Sequence, residues 1–98
     1  MKSSKVIASF SCFLIGDGTL LRECGNLLRT QNHTILGVIT AADQQRNWAE
    51  QSNLKVIDPS SNYASVLRAT PFDFLFSITS LKKIPARILK LPRRGAIN

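Results

Sequence analysis

Short apolar runs alternate along the chain with segments of helical periodicity. The first run is "SCFLI" at Ser11–Ile15, which ends at a Gly-rich turn and has the length of a buried strand. From Thr19 the period changes, because apolar residues then recur at helical spacing with charged residues between them. These apolar residues are Leu20, Leu21, Cys24, Leu27 and Leu28. We therefore predict a strand followed by an amphipathic helix that Thr19 caps and "TQNH" ends.

The same alternation continues to the end of the chain. The further apolar runs "TILGVIT", "LKVID", "FDFLFSI" and "GAIN" are predicted to be strands. Helices are predicted over 40–51, over 62–69 with Tyr63, Val66 and Leu67 inward, and from Pro85 through "PARILKL". The second helix opens with "TAAD", in which Thr40 and Asp43 have the spacing of a capping box.

Strands that alternate with helices, and that show little polar alternation themselves, indicate a parallel sheet covered on both faces. With right-handed crossovers, the simplest arrangement is an α/β Rossmann-like three-layer sandwich with strand order 3-2-1-4-5. The 98 residues suffice for one small domain. Ligands of such sheets bind beyond the carboxyl ends of the strands, near the point where the order reverses. The candidate site is therefore predicted at 16–19 and 78–83, after the first and fourth strands.

The turn "GDGT" after the first strand has two interpretations. Gly16 and Gly18 would let backbone N–H groups approach an anion at the start of a helix. A tight strand-to-helix turn that needs glycine explains them equally well. Asp17 is predicted to be exposed or to cap the helix. A dinucleotide fingerprint does not match, because its third glycine would fall on Leu21 and the second strand ends in Thr40 rather than an acid.

Composition adds a strongly basic balance. The formal net charge is +7, from 13 Lys and Arg residues against 6 Asp and Glu residues, which favours anionic partners such as nucleic acid, phosphorylated substrates or an acidic carrier domain. Six of the basic residues lie close together near the C-terminus: Lys82, Lys83, Arg87, Lys90, Arg93 and Arg94. A charge run of this kind is also what a solvated helix face looks like, and Arg87 and Lys90 fit that interpretation.

The residues that most often carry chemistry are sparse. Cys12 and Cys24 have neither metal-type nor disulfide-framework spacing, so both are predicted to be buried thiols in a reducing compartment. His33 is the only histidine, which argues against a His-based metal site or catalytic dyad, and a polar cap at a helix-to-strand turn is its expected role. Trp48 and the phenylalanines of "FDFLF" are expected in the core.

Targeting signals are weak. Lys2 and Lys5 before "VIASFSCFLIG" resemble the start of a secretory signal, but no small-x-small cleavage site follows. No apolar run is long enough to span a membrane. We expect a cytoplasmic protein without a membrane partner.

The order of these elements and three stretches resemble a known family. The stretches are "FLIGDGTLLRECGNLLRTQNHTILGVIT", "FDFLFSI" and "IPARILKLPRRGAIN". They are similar to the N-terminal part of the 10-formyltetrahydrofolate-dependent formyltransferases, which include methionyl-tRNA formyltransferases and the formylation domains of some nonribosomal peptide and polyketide synthases. The ending "LPRRGAIN" is the most specific part, because the family pattern there is L-P-R-x-G-x-I-N, followed by x-His and "SLLP".

The resemblance implies a site. Asn98 falls on a catalytic Asn of the family, whose catalytic His and Asp positions lie beyond Asn98; residues 1–98 would then be an incomplete domain, truncated after the fifth strand. The cosubstrate would be 10-formyltetrahydrofolate, and the loop matching the pterin pocket is Ser80, Leu81, Lys82, Lys83 and Ile84. Lys82 and Lys83 depart from the apolar residues common there. Gly16, Gly18 and Thr19 match the loop that binds substrate phosphate in glycinamide ribonucleotide formyltransferases. No metal is implied.

The expected activity is formyl transfer to an amine on an aminoacyl-tRNA or on a phosphopantetheine carrier domain, with further domains of a larger enzyme left open. A chain that lacks two of three catalytic groups is expected to be inactive alone, and a bare edge on strand five would make it marginally stable. The alternative is a small basic α/β module that binds a nucleotide or nucleic acid without chemistry. A fragment of a dinucleotide-dependent oxidoreductase is a weaker option, since its fingerprint is absent.

Overall fold

The structure is a computed structural model that describes residues 8–78 and 84–98. Its elements in chain order are β1 (Ser11–Ile15), α1 (Thr19–Thr30), β2 (Thr34–Ile39), α2 (Asp43–Gln51), β3 (Val56–Ile57), α3 (Tyr63–Ala69), β4 (Phe74–Ser77), α4 (Ala86–Leu89) and β5 (Gly95–Ile97). All neighbouring strands pair in parallel, in the order β3-β2-β1-β4-β5. The predicted Rossmann-like sandwich and its strand order are confirmed.

Two hydrophobic clusters pack against opposite faces of the sheet. One joins Phe13, Ile15 and Leu75 of the strands to residues of α3 and α4, including Leu67 and Ile88. Alternate strand residues point to opposite faces, so the second cluster takes their neighbours. It joins Cys12, Leu14, Ile35 and Val38 to Leu21 of α1 and to Trp48 and Ala49 of α2. Helices α1 and α2 therefore cover one face, and α3 and α4 cover the other.

Helices α1 and α2 end by the same device. Asn32 and Asn53 each follow a helix with a positive φ, of 66° and 59°, a conformation that asparagine tolerates better than most residues. The residue after each asparagine then donates its backbone N–H into the last turn, from His33 to Leu28 at 3.0 Å and from Leu54 to Ala49 at 2.8 Å. This explains why "TQNH" ends α1.

The predicted helix starts were wrong in detail. Thr19 is the first residue of α1 rather than its cap, and the capping position is held by Gly18 without a side-chain hydrogen bond. The capping box at Thr40 does not form either, because α2 begins at Asp43 after Ala42. The Thr40 hydroxyl instead donates a hydrogen bond to Asp17, as described below.

Helices α1 and α2 approach closely at a glycine. A Cβ on Gly25 would lie 2.3 Å from the ring atom Cη2 of Trp48, so no larger residue fits without movement. The Trp48 indole N–H donates to the Asn26 side-chain oxygen at 3.1 Å. Trp48 is buried with only 9% of its surface exposed, as expected of a core residue.

Candidate functional site

The turn after β1 lies directly against the end of β4. Gly16 donates its backbone N–H to Ile39 at 3.1 Å, and Ile78 donates its own to Ile15 at 2.9 Å. A Cβ on Gly16 would stand 2.2 Å from the carbonyl oxygen of Ile78. Close packing of two chain segments thus requires this glycine, which supports the structural interpretation of the first Gly in "GDGT".

Asp17 links this turn to the turn after β2. One oxygen of its carboxylate accepts hydrogen bonds from the Thr40 hydroxyl at 3.0 Å and from the Ala41 backbone N–H at 2.9 Å. The residue is exposed, as predicted, but it does not cap α1. The Thr40 hydroxyl in turn accepts from the Ala42 N–H at 3.2 Å. Asp17 therefore holds two loops of the carboxyl edge together.

Gln45 supports the same turn from beneath. It is 2% exposed, and its side-chain N–H donates to the backbone oxygen of Asp17 at 3.1 Å. Its side-chain oxygen has no hydrogen-bond partner among the protein groups that the structure describes. The sequence did not single out this residue, because an isolated Gln inside a helical pattern carries no signal of a buried contact.

The N-terminus of α1 has mixed electrostatics. Its first turn contains no acidic residue and its cap makes no side-chain hydrogen bond, so the backbone N–H groups near Gly18 and Thr19 could face an anion. The neighbouring Asp17 carboxylate, however, is a negative charge in the same turn. That charge disfavours a phosphate at this place, so the predicted use of Gly18 and Thr19 in phosphate binding has an opposing charge beside it.

A groove opens between α1 and the ends of β4 and β5, with a cavity volume of about 600 Å³. It is lined by Leu20, Cys24, Leu27, Leu28, Phe76, Ser77, Ile78, Ile97 and Asn98. Asn98 follows β5 directly and is exposed. The candidate catalytic Asn and the residues at the end of β4 therefore border the same apolar groove.

The groove corrects two predictions about α1. Leu20 and Leu27 were expected to face the core, yet they are 47% and 58% exposed. Cys24 was expected to be buried, yet it is only partly buried and lines the groove. The apolar stripe of α1 is wider than its contact with β1 and β2, and its far side overlooks β4 and β5, where no described helix lies above the sheet.

Cys12 behaves as predicted. It is fully buried in β1. Burial raises the pKa of its thiol to about 12, and the negative charge of Asp73 adds to the rise. A thiol with so high a pKa is a structural residue rather than a nucleophile at neutral pH.

Of the residues expected to bind the cosubstrate, Ser80, Leu81, Lys82 and Lys83 lie outside the described residues. Ile84 is partly buried and packs against the cluster on the α3 and α4 face. It does not line the groove that contains Asn98.

Of the basic C-terminal residues, Lys82 and Lys83 lie outside the described residues, and the other four fall into two groups. Arg87 and Lys90 are exposed on and after α4, as a solvated face predicts. Arg93 pairs with Asp73 at 3.1 Å, and the guanidinium carbon of Arg94 lies 4.9 Å from the centre of the Phe74 ring. Arg94 thus extends over the open face of β4, which is the α1 and α2 side of the sheet where no described helix lies above β4 and β5.

His33 lies at the opposite end of the sheet from Asn98. It is 8% exposed and precedes β2, and its Nδ1 accepts the Phe10 backbone N–H at 3.3 Å. Its ring stacks on Phe10 at 3.7 Å. The buried, hydrogen-bonded ring agrees with the structural role expected for it.

Within residues 8–78 and 84–98, no group of three or more His, Cys, Asp or Glu side chains could hold a metal ion. No helix in the described part of the chain is long and apolar enough to cross a membrane. Neither a scan against protein-family models nor a search of curated proteins found a match for this chain.

Proposed function

We propose that this chain is the first part of a formyltransferase domain that transfers the formyl group of 10-formyltetrahydrofolate to an amine. One observation carries the proposal beyond the resemblance of "LPRRGAIN". Asn98 stands at the carboxyl end of β5, next to the end of β4, and this is the edge at which parallel α/β sheets bind ligands.

The proposed reaction requires only a hydrogen-bond donor from the chain at this position. The lone pair of the acceptor amine attacks the formyl carbon, a new C–N bond forms, and the carbonyl electron pair moves to the oxygen. The neutral amide of Asn98 can donate a hydrogen bond to that oxyanion without titrating. The bond from the formyl carbon to N10 of the folate then breaks, N10 takes up a proton, and the amine loses one.

Proton transfer needs groups that these residues do not supply. His33 is the only histidine, and it is buried at the amino edge of the sheet rather than near Asn98. In the family that the sequence resembles, a His that follows the Asn also stabilises the oxyanion, and a more distant Asp handles the protons. We therefore expect residues 1–98 alone to bind without measurable catalysis, and a measurable formylation rate would contradict this.

The charge of the chain fits either proposed acceptor. Transfer RNA and a phosphopantetheine arm are both anionic, and the chain carries a net charge of +7. Arg94 contributes a guanidinium on the open face, and Arg87 and Lys90 are exposed nearby in sequence. Electrostatic steering of an anionic carrier needs no more specific contact than this.

An NMR titration of the isotopically labelled chain with 5-formyltetrahydrofolate tests the proposal. We expect backbone signals to shift at the carboxyl edge, near Gly16, Ile78 and Asn98, while signals near His33 stay unchanged. Asn98→Ala serves as the matched variant, with the shifts near Gly16 retained and those at position 98 altered. Absence of shifts at millimolar ligand, or shifts confined to the amino edge, would refute folate binding at this site.

The alternative is a module that binds nucleic acid without chemistry. It is favoured by a cation over an aromatic ring on the open face, Arg94 over Phe74, with Phe76 alongside at a ring-centre distance of 5.7 Å. Stacking of bases on such rings is a common way to bind single strands. This function would be favoured if the chain binds a single-stranded oligonucleotide but not folate. The binding should then weaken steeply with added salt and with Phe74→Ala.

A further inference from the structure

The turn at 16–18 carries a negative charge that is held in place. The Asp17 carboxylate accepts from the Thr40 hydroxyl at 3.0 Å and from the Ala41 backbone N–H at 2.9 Å. Thr40 is only 1% exposed, so its hydroxyl stays within the fold. The Gln45 side chain also holds the backbone oxygen of Asp17, at 3.1 Å. Because both its side chain and its backbone are held, Asp17 cannot turn away from a ligand that approaches this turn.

This charge lies beside the start of α1, which would otherwise attract an anion. The backbone N–H groups of a first helical turn have no acceptor within the helix, and the helix dipole adds partial positive charge there. Gly18 caps α1 without a side-chain hydrogen bond. Asp17 immediately precedes it, so the carboxylate repels a phosphate that approaches these N–H groups. Gln45 adds no compensating donor, because the side-chain atom that it leaves without a described partner is its oxygen.

The described turns at the carboxyl edge of β1 to β3 contain no cation that could offset this charge. These turns, at 16–18, 40–42 and 58–62, include neither Lys nor Arg. Two further carboxylates lie in or next to them, on Asp43 and Asp58. This corner of the sheet is therefore acidic although the whole chain carries a net charge of +7, and it suits a hydrogen-bond donor better than a phosphate.

The same turn lies next to the groove that contains Asn98. Leu20, in the first turn of α1, lines that groove together with Ile78 and Asn98. A substrate whose amine reaches Asn98 would therefore bring its neighbouring groups close to the start of α1. We propose that Asp17 is a specificity-determining residue, which excludes acceptors with a phosphate close to the reacting amine and favours acceptors that present a hydrogen-bond donor there.

This inference rests on the proposed function where it names the acceptor, and it narrows the acceptor class. A small phosphorylated amine would bring its phosphate to the acidic corner. An aminoacyl group on a long carrier keeps the phosphates of the carrier away from the amine. Arg94, which lies over Phe74 at the amino edge, is a cation that could meet those phosphates. The exclusion of phosphate is a property of the free chain, so it can be measured without formyl transfer.

Titration of the isotopically labelled chain with inorganic phosphate, followed by NMR at constant ionic strength, tests the exclusion. In the wild type, the backbone signals of Gly18 and Thr19 should stay unchanged at millimolar phosphate. Asp17→Asn keeps an oxygen that can accept from Thr40 and Ala41 but removes the charge. Its signals at the start of α1 should shift saturably, with a dissociation constant for phosphate at least about tenfold below that of the wild type.

Asp43→Asn is the matched control, because it removes a carboxylate of the same edge from the first turn of α2. It should leave the signals at the start of α1 as insensitive to phosphate as in the wild type. Asp17→Ser, which also removes the charge and keeps a side-chain oxygen, is a second variant in case Asp17→Asn fails to fold. Circular dichroism checks the fold of each. Lys82 and Lys83, which lie outside the described residues, are the same in every variant and cannot cause a difference between them.

Three results would overturn the role of Asp17. They are saturable phosphate shifts at Gly18 and Thr19 in the wild type, no gain of binding in a folded Asp17 variant, and an equal gain in Asp43→Asn. The titration with 5-formyltetrahydrofolate is separate from this test. Folate binding by a wild-type chain that also binds phosphate at the start of α1 would refute only this inference. Phosphate exclusion in a chain that does not bind folate would refute the proposed function and leave Asp17 as a barrier to phosphate.

Discussion

The strands β1 and β4 are neighbours with similar apolar sequences, yet they lie in different surroundings. In β1, Cys12, Phe13, Leu14 and Ile15 are all buried. In β4, only Leu75 is buried, and Phe74 and Phe76 on either side of it are half-buried. The difference arises because α1 and α2 cover β1 to β3, whereas the same face of β4 and β5 has no described helix above it. An apolar run thus predicts that both faces of a strand are to be buried. It does not predict which segment of the chain buries them.

The largest effect is expected in the fully packed part of the core. Phe72 is 1% exposed and meets the Phe13 ring edge to face at 4.8 Å. Phe72→Ala should lower the free energy of unfolding by about 4 kcal/mol, through lost burial and a cavity. Urea denaturation followed by circular dichroism measures it.

Phe76→Ala is the matched change on the open face. The Phe76 side chain is only partly buried and lines the groove, so its removal should cost about 2 kcal/mol or less, since less apolar surface returns to water. Equal losses from the two truncations would show that the groove is covered in solution to the same extent as the core.

A loss of comparable size is expected where the covering helices α1 and α2 meet. Gly25→Ala would place a methyl group 2.3 Å from Trp48, and overpacking of this kind costs about 2 kcal/mol. Thermal unfolding of the variant measures the loss. In a Trp48→Phe background, which makes room, the same change should cost much less, and a cost independent of position 48 would contradict the contact as the cause.

The elements that the sequence predicted are those encoded locally. Strand and helix alternation requires only periodicity within a few residues, and with the handedness of crossovers it leads to the observed strand order. The features it missed depend on contacts between distant segments. Asp17 reaches Thr40 across 23 residues, so neither the role of Asp17 nor the failure of Thr40 to cap α2 is visible in local patterns.

The candidate site likewise combines features that the sequence predicts with features that depend on contacts between distant segments. The position of Asn98 at the carboxyl edge follows from the strand order, but the exposure of Leu20, Leu27 and Cys24 does not. Helical spacing assigns all three to an apolar side of α1, and only the width of the sheet beneath the helix decides which of them are covered.

A weaker effect is expected at the junction between β1 and β4. Asp73 accepts hydrogen bonds from the Ser11 backbone N–H at 3.0 Å and from Arg93 at 3.1 Å. The hydrogen bond from Ser11, followed by the charge of Arg93, holds the pKa of the Asp73 carboxyl below its usual value. The ionised form therefore stabilises the fold above the unfolded-state pKa of about 4, and this stabilisation is lost as the pH falls through the folded pKa.

Asp73→Asn should accordingly make the free energy of unfolding less dependent on pH below the unfolded-state pKa of about 4, because the wild type loses the contribution of its paired carboxylate as the pH falls there. Urea titrations at several pH values measure this. Glu50→Gln is the matched control, since it removes an exposed carboxylate on α2. If the free energy of unfolding of Asp73→Asn changes with pH as steeply as that of the wild type, other groups must cause the acid sensitivity.

The last test changes no residue. It compares the rates at which the thiols of Cys12 and Cys24 react with a labelling reagent. Cys12 is fully buried under α1 with a pKa raised to about 12 by burial, whereas Cys24 is partly buried at the groove. A disulfide reagent at pH 8 should label one thiol per chain readily and the second only after denaturation, because the thiolate is the reacting form. Equal rates at both thiols would show that the fold opens around Cys12 often enough to expose it as readily as Cys24 at the groove, which would contradict the closer cover of β1.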